Sequence, residues 1–194
     1  MEFKAIHPRS ISFLMRLYML LFAVSWSYPE VHPLLHSGVM WGAVQILRDL
    51  GIILPEASSP VANYVNAVRS GNLLFLAGKG PGLPDGTFIT GKVGQDLTIE
   101  EGKAAARLVA INQLAVLKAE LGDLNKVKRI VKVLGMVNCN SEFTQQPQVI
   151  NGFSDLMVEV FGEKGKHARS AVGMNALPMN IAVEVELIVE IEDN

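Results

Sequence analysis

The sequence holds one cysteine in 194 residues, Cys139, so no disulfide can close within a chain, and neither a Cys-x-x-Cys pair nor a Cys/His zinc spacing is present. That usage fits a reducing compartment. No histidine lies near Cys139 in sequence, and the residue is expected to pack near a strand end rather than act as a nucleophile. A basic footprint is lacking as well: 17 Lys and Arg stand against 19 Asp and Glu, net charge -2, with the cations spread along the chain. Nucleic acid is therefore not a favoured partner. Nor is a membrane, because the apolar run 17–26 has ten residues where a spanning helix needs about 20.

What is present is enough chain for one domain with a hydrophobic core, and too little for two large ones. Residues 40–194 are expected to form that domain and 1–39 to lie outside it. Two readings of 1–39 stand side by side. Lys4, Arg9 and Arg16, the short apolar run and the small residues Ala23 and Ser25 fit a secretory signal peptide cleaved after Ser25, which would make the product secreted. The other reading is an extension upstream of Met40 on a cytoplasmic protein. His32 and His36 have i, i+4 spacing there, but prolines in the same stretch argue against a helical metal pair.

Residues 41–50 have helical spacing ended by Gly51, 54–60 reads as a loop, and the ordered core is expected to begin at Val61. Residues 64–68 alternate, Ser70-Gly71-Asn72 is turn chemistry and 73–77 is a buried run; together they read as a β-hairpin. The glycine-rich loop 78–86 lacks the GxxxxGK[ST] order and no helix opens directly behind it, so it is not a phosphate loop. Most of its glycines are expected to serve positive φ. Thr98 and Glu101 form a capping box for a helix that reaches Leu121 and stops at Gly122. A strand over 127–137, a second long helix over 149–161 closed by Gly162, and two further strands complete the chain. The order strand, strand, short strand, helix, strand, helix, strand, strand predicts an α+β fold, one mixed sheet with two helices on one face.

The stretch 167–192 carries the most suggestive chemistry. Arg169 stands alone among small and apolar residues, and a long strand follows with Glu184, Glu186, Glu190 and Glu192 at every second place. Along that strand the odd positions from Ile181 to Ile191 are all apolar and belong under the helices, whereas the even face mixes acids with Ile188. Such a face suits a partly polar interface between subunits, although a row of charges is by default solvated. Period alone leaves Arg169 and the acids open between an anion-binding, water-activating site and structural ion pairs. His167, a loop histidine at a strand start, is expected to be exposed rather than an acid or base.

Tyr64 after the Pro60 loop, the run Gly71-Asn-Leu-Leu-Phe-Leu-Ala-Gly78, the segment His167-Ala-Arg-Ser-Ala-Val172, Leu177-Pro178 and Val183-Glu-Val-Glu186 together resemble the YjgF-type reactive-intermediate deaminase (Rid) family, in one consistent order over about residues 55–192. The likeness is closest to a divergent branch often labelled endoribonuclease L-PSP. The resemblance implies a chorismate-mutase-like fold, a homotrimer whose sheets line a central barrel, and sites in the clefts between subunits. It also implies hydrolysis of imines derived from enamines such as 2-aminoacrylate to 2-keto acids and ammonia, with no metal or organic cofactor. By position, Arg169 would bind the substrate carboxylate, Glu184 would handle water, Tyr64 would line the cleft and Gly78 would contact the substrate. Asn151 matches an asparagine early in the second helix, and the backbone at Ala171 is a candidate for the second carboxylate oxygen. The pattern departs at Ala171, where a cysteine is usual, at Ala77, where Ser or Thr is usual, and at Lys79, where Gln is usual. A trimer that binds keto acids without turnover, and a ribonuclease, are the rival readings.

Overall fold

The computed structural model describes residues 42–60 and 62–192; the expected extension 1–39, with His32 and His36, lies outside them, as does Val61. Along the chain run α1 (Ala43–Asp49), β1 (Ala67–Ser70), β2 (Leu73–Lys79), α2 (Ile99–Leu121), β3 (Val127–Asn138), α3 (Gln146–Phe161), β4 (Ala168–Met174) and β5 (Val183–Ile191). The strands form one mixed sheet in the order β1-β2-β5-β3-β4, with every pair antiparallel except β3 and β4. The parallel pair follows from its connection, since α3 carries the chain back across the sheet between them. Gly71 and Asn72 close the expected hairpin between β1 and β2, with Gly71 at φ 61°.

Helix α2 starts at the expected capping box: Thr98 Oγ1 accepts from the Glu101 N–H, and the Glu101 carboxylate accepts from the Thr98 N–H. Ala105, Ala106, Val109, Ala110, Leu114 and Leu117 recur at helical spacing and are buried. Full burial of a Val or Leu side chain is worth roughly 1.5–3 kcal/mol, so packing rather than helix propensity holds α2 in place. Its neighbour α3 comes unusually near. A Cβ at Gly152 would lie 2.0 Å from the Lys103 carbonyl oxygen, so glycine there fixes the position of α3 along α2.

On β5 the odd residues Val183, Val185, Leu187, Val189 and Ile191 are buried, as their period predicts, and Glu186 is exposed on the other face. Across that other face Val68 pairs with Phe75, Phe75 with Ile188, and Met136 with both Glu184 and Val172. Val68, Phe75 and Val172 are exposed, so the bare face is apolar at several points as well as acidic. No helix among the described residues is long and apolar enough to cross a membrane.

Three expectations are corrected. The core begins before Val61, because α1 buries Ala43 and Leu47, and Asn125 Oδ1 accepts from the Ala43 N–H at its start. The short strand expected before α2 is instead a set of isolated bridges at Gly82, Thr90 and Val93. In the loop 78–86 only Gly86 has positive φ among the glycines, while a Cβ at Gly78 or Gly80 would collide with Glu184 or Ile181. At those two positions glycine leaves the space that the ends of the Glu184 and Ile181 side chains occupy, and does not serve a positive φ.

One irregularity shapes the sheet. Leu76 pairs with Leu187 and Lys79 with Val185, so Ala77 and Gly78 together oppose the single residue Glu186. This is a β-bulge, and it frees carbonyls from the ladder. Gln113, fully buried on α2, takes up two of them: its Nε2 donates to Ala77 O at 2.9 Å and Val185 O at 2.8 Å. Replacing Gln113 with Leu leaves two buried acceptors bare, a loss of about 2–4 kcal/mol, partly offset because the Gln113 Oε1 itself meets no donor among the described residues. Urea unfolding should show a lower midpoint with an unchanged slope. An unmoved midpoint would mean that the bulge does not need the amide.

Candidate functional site

The bulge delivers Gly78 to Glu184. A Cβ on Gly78 would stand 2.1 Å from Glu184 Oε1, so the carboxylate lies directly over the glycine backbone on the bare face of the sheet. Partial burial pushes the Glu184 carboxyl above the usual carboxylate range, and the like charge of Glu186 on the same strand pushes it further. Among the described residues no donor is recorded on this carboxylate. It is therefore a half-buried acceptor with raised proton affinity and free lone pairs, which suits a group that accepts a proton from water.

Tyr64 and Lys79 belong to the same end of β2 by backbone. Tyr64 lies before β1 rather than within a strand, and its ring is about half exposed. Asn66, two residues on, accepts from the Ala77 N–H through its carbonyl oxygen. Lys79 turns its amine into the chain: Nζ donates to Asn66 Oδ1 at 2.7 Å, to Ser58 Oγ at 3.1 Å and to Ser58 O at 3.4 Å. Burial lowers the Lys79 pKa. Its three donors are spent on the segment that carries Tyr64, so it acts as a strap.

The second cluster sits on β4 at the sheet's edge. Arg169 Nη1 donates to Asn151 Oδ1 at 2.9 Å and to Ser154 Oγ at 3.0 Å, both on α3. No carboxylate pairs with Arg169 among the described residues. His167 departs from expectation. It is half-buried, with Nδ1 2.6 Å from Gly165 O and Nε2 3.0 Å from Ser154 Oγ. Desolvation chiefly, and the nearby Arg169 cation, lower its pKa against the opposing pull of the Gly165 carbonyl, so the ring is neutral at pH 7. Ser154, Val158, Lys166, His167 and Arg169 line an open cavity of about 330 Å³. Ala171, partly buried, continues the strand beside Gly135.

Ser154 escaped the sequence reading. The available signal was its i, i+3 spacing from Asn151 on an expected helix, which puts the two side chains on one face. Cys139 is buried just beyond the end of β3, the packing position expected of it.

The two clusters do not meet within one chain. Arg169 pairs with Val133, which pairs with Leu187, and both neighbours are buried under the helices. Glu184 pairs with Met136 on the opposite face, three residues further along β3. Thus Glu184 and Gly78 come together, Arg169 and Asn151 come together, and the sheet itself separates the pairs.

A mixed sheet covered by helices on one face, bared on the other and ending in a parallel β3-α3-β4 unit defines an α+β protein of the chorismate-mutase-like class. Residues 45–191 match the family described as "YjgF/chorismate mutase-like, putative endoribonuclease", and the chain belongs to that family. It is 47% identical over 148 residues to the protein TCP17 of Trypanosoma cruzi, covering 76% of this chain and 92% of that relative. It is 30% identical over 145 residues to a protein of Dermatophagoides farinae named 2-iminobutanoate/2-iminopropanoate deaminase, covering 73% and 95% respectively. Among solved structures, a protein of unknown function from Agrobacterium tumefaciens superposes with a TM-score of 0.72 at 45% identity, over 77% of this chain and 94% of that one. A protein from Shewanella oneidensis, described in the same endoribonuclease words, gives 0.75 at 33% identity, over 78% and 100%. The family and fold implied by the sequence resemblance are those found.

The raised pKa of Glu184 has a definite sign in stability. A carboxyl that binds its proton more tightly when folded contributes stability below its unfolded pKa of 4.5, and that contribution disappears as pH rises through the folded value. Glu184→Gln, which mimics the protonated form, should unfold at higher denaturant than wild type at about pH 8 and match it near pH 4. Glu186→Gln should lower the Glu184 pKa read by carboxyl NMR titration. A Glu184 titration at or below the ordinary value would overturn the desolvation account.

Proposed function

We propose that this chain hydrolyses 2-imino acids to 2-keto acids and ammonia, in clefts between the subunits of a homotrimer. The observation that carries the reading is the state of Arg169: a part-buried guanidinium held by two neutral oxygens, without an acid partner among the described residues. A cation arranged in that way awaits an anion, and its planar fork matches a carboxylate with two charge-assisted bonds. The name of the Dermatophagoides farinae relative, an imine deaminase, lends the same direction.

In this mechanism Arg169 takes the substrate carboxylate and so fixes the adjacent C=N carbon. Glu184 removes a proton from a water as its oxygen bonds to that carbon, and the C=N electron pair moves to nitrogen. The proton held by Glu184 then passes to that nitrogen; the freed carboxylate takes the remaining hydroxyl proton as the keto C=O closes and the C–N bond breaks, and delivers it to the departing nitrogen, which leaves as ammonia. Gly78 leaves room beside Glu184 for the reacting centre, Tyr64 borders it, Asn151 holds the guanidinium, and the edge strand at Ala171 offers backbone N–H groups for the second carboxylate oxygen. Residues on opposite faces of one sheet can serve one substrate when Arg169 of one subunit and Glu184 of another share a cleft. The apolar points Val68, Phe75 and Val172 on the bare face favour its burial against a second copy.

The first test is ammonia release from 2-iminopropionate generated in place by an amino-acid oxidase. Wild type should accelerate it, and Arg169→Ala should lose at least about a hundredfold, since two charge-assisted bonds are worth roughly 1.5–3 kcal/mol each. Glu184→Gln should lower kcat more than it alters KM. Equal rates for wild type and Arg169→Ala would sink the deaminase reading; keto-acid binding without turnover would point to a regulatory trimer instead. RNA cleavage surviving both substitutions in purified protein would place any ribonuclease activity elsewhere. Sedimentation should give three times the 21.1 kDa chain mass, and a monomer at micromolar concentration would remove the composite cleft.

A further inference from the structure

We propose that Ser154 and His167 are positioning residues that saturate one nitrogen of Arg169 and so select which edge of the guanidinium meets the ligand. The inference rests on the carboxylate-binding reading of Arg169 given above and adds the geometry of capture. The chain of bonds has one direction. Gly165 O can only accept, so His167 Nδ1 carries the proton and donates to it. In the neutral ring Nε2 is then an acceptor, and the Ser154 hydroxyl donates to it across 3.0 Å. With its hydrogen engaged, Ser154 Oγ presents lone pairs to Arg169 Nη1, 3.0 Å away. Asn151 Oδ1 takes the other Nη1 hydrogen at 2.9 Å.

Both Nη1 hydrogens are thereby used. Three of the five guanidinium hydrogens remain, on Nε and Nη2, and Nε–H and one Nη2–H point the same way in the planar group. The free fork is therefore the Nε/Nη2 edge, and a carboxylate lies side-on along it with one oxygen on each nitrogen. Such capture fixes the plane of the carboxylate as well as its position, and so orients the carbon next to it. The same arrangement answers a Ser-His pair's more obvious reading as a nucleophile and base. Ser154 Oγ faces the cation through its lone pairs and is the fixed link, while the edge open to a ligand belongs to Arg169.

The test uses the full-length protein and pyruvate as the probe. In nitrogen-15 spectra of the arginine side chains, Arg169 should show separate Nη1 and Nη2 signals from slow rotation, with pyruvate shifting Nε and Nη2 far more than Nη1. Ser154→Ala and His167→Phe should merge the two signals and weaken pyruvate roughly five- to tenfold, the loss expected when one oriented bond to a charged group goes. Ser154→Thr and His167→Gln, which keep the hydroxyl and an acceptor, should restore both readouts, and a loss of fold would show in the unfolding midpoint. Freely rotating Nη groups in wild type, or a pyruvate shift centred on Nη1, would overturn the proposal whatever the affinity. Pyruvate affinity unchanged in Arg169→Ala would instead overturn the parent reading.

Discussion

The bulge at Ala77 and Gly78, and the buried amide of Gln113 that satisfies it, set the terms for the open end of the sheet. A regular ladder would keep Ala77 O paired within the sheet and would alternate side chains without a break. The extra residue instead turns that carbonyl toward α2, where Gln113 binds it together with Val185 O from the facing strand. One side chain thus ties β2, β5 and α2 at a single point. The consequence on the other face is that the Gly78 backbone comes under Glu184 with no side chain between them. A desolvated carboxylate with raised proton affinity is the outcome of that geometry, and the fold bears its cost at neutral pH because Gln113 and the packed odd face of β5 hold the strands regardless.

A parallel logic governs the other cluster. Gly152 lets α3 approach the α2 backbone where any side chain would collide with the Lys103 carbonyl. Asn151 and Ser154 flank that contact on the same helix, so the docking that builds the core also fixes the two oxygens that hold Arg169. The 3-10 turn Gly162–Gly165 then supplies the carbonyl that orients His167. Core packing and the polarity of a short hydrogen-bond chain are thereby parts of one construction.

Much of this was legible in the sequence, for local reasons. The capping box at Thr98, the alternation along β5, the Gly71-Asn72 turn and the Gly162 stop are short-range signals with one dominant physical cause each, and all stand where expected. The identities of Arg169 and Glu184 as notable residues were likewise visible, from a lone cation and a period-two row of acids. What period could not reveal was which partners tertiary contact would supply. Gln113 reads as one polar residue inside an apolar helix face, His167 as a loop histidine, and the glycines of 78–86 as turn formers. The bonds of Gln113 to Ala77 and Val185, the contact of His167 with Ser154, and the close approaches at Gly78 and Gly80 all join residues 13 or more positions apart in the chain. The opposite facing of Arg169 and Glu184 depends in turn on β4 joining β3 in parallel, a matter of register rather than of either residue's neighbours.

Register also clarifies the departures from the family pattern at Ala77 and Lys79. A lysine beside the glycine that underlies Glu184 would, as a free cation, pair with that carboxylate and lower its pKa. The shift is in the other direction, and burial and Glu186 account for it. The reason is that Lys79 is the residue after the bulge, so its side chain leaves toward Ser58 and Asn66 and is fully occupied there. Ala77, whose carbonyl is bound by Gln113 and whose N–H is bound by Asn66 O, contributes backbone alone. The altered residues therefore act on the segment that carries Tyr64, pinning it to the end of β2, and leave the charge balance around Glu184 to Glu186. Differences at Ala77 and Lys79 are then differences in how the segment beside Gly78 is anchored, while the carboxylate over Gly78 keeps the partial burial and the like-charged neighbour that raise its proton affinity.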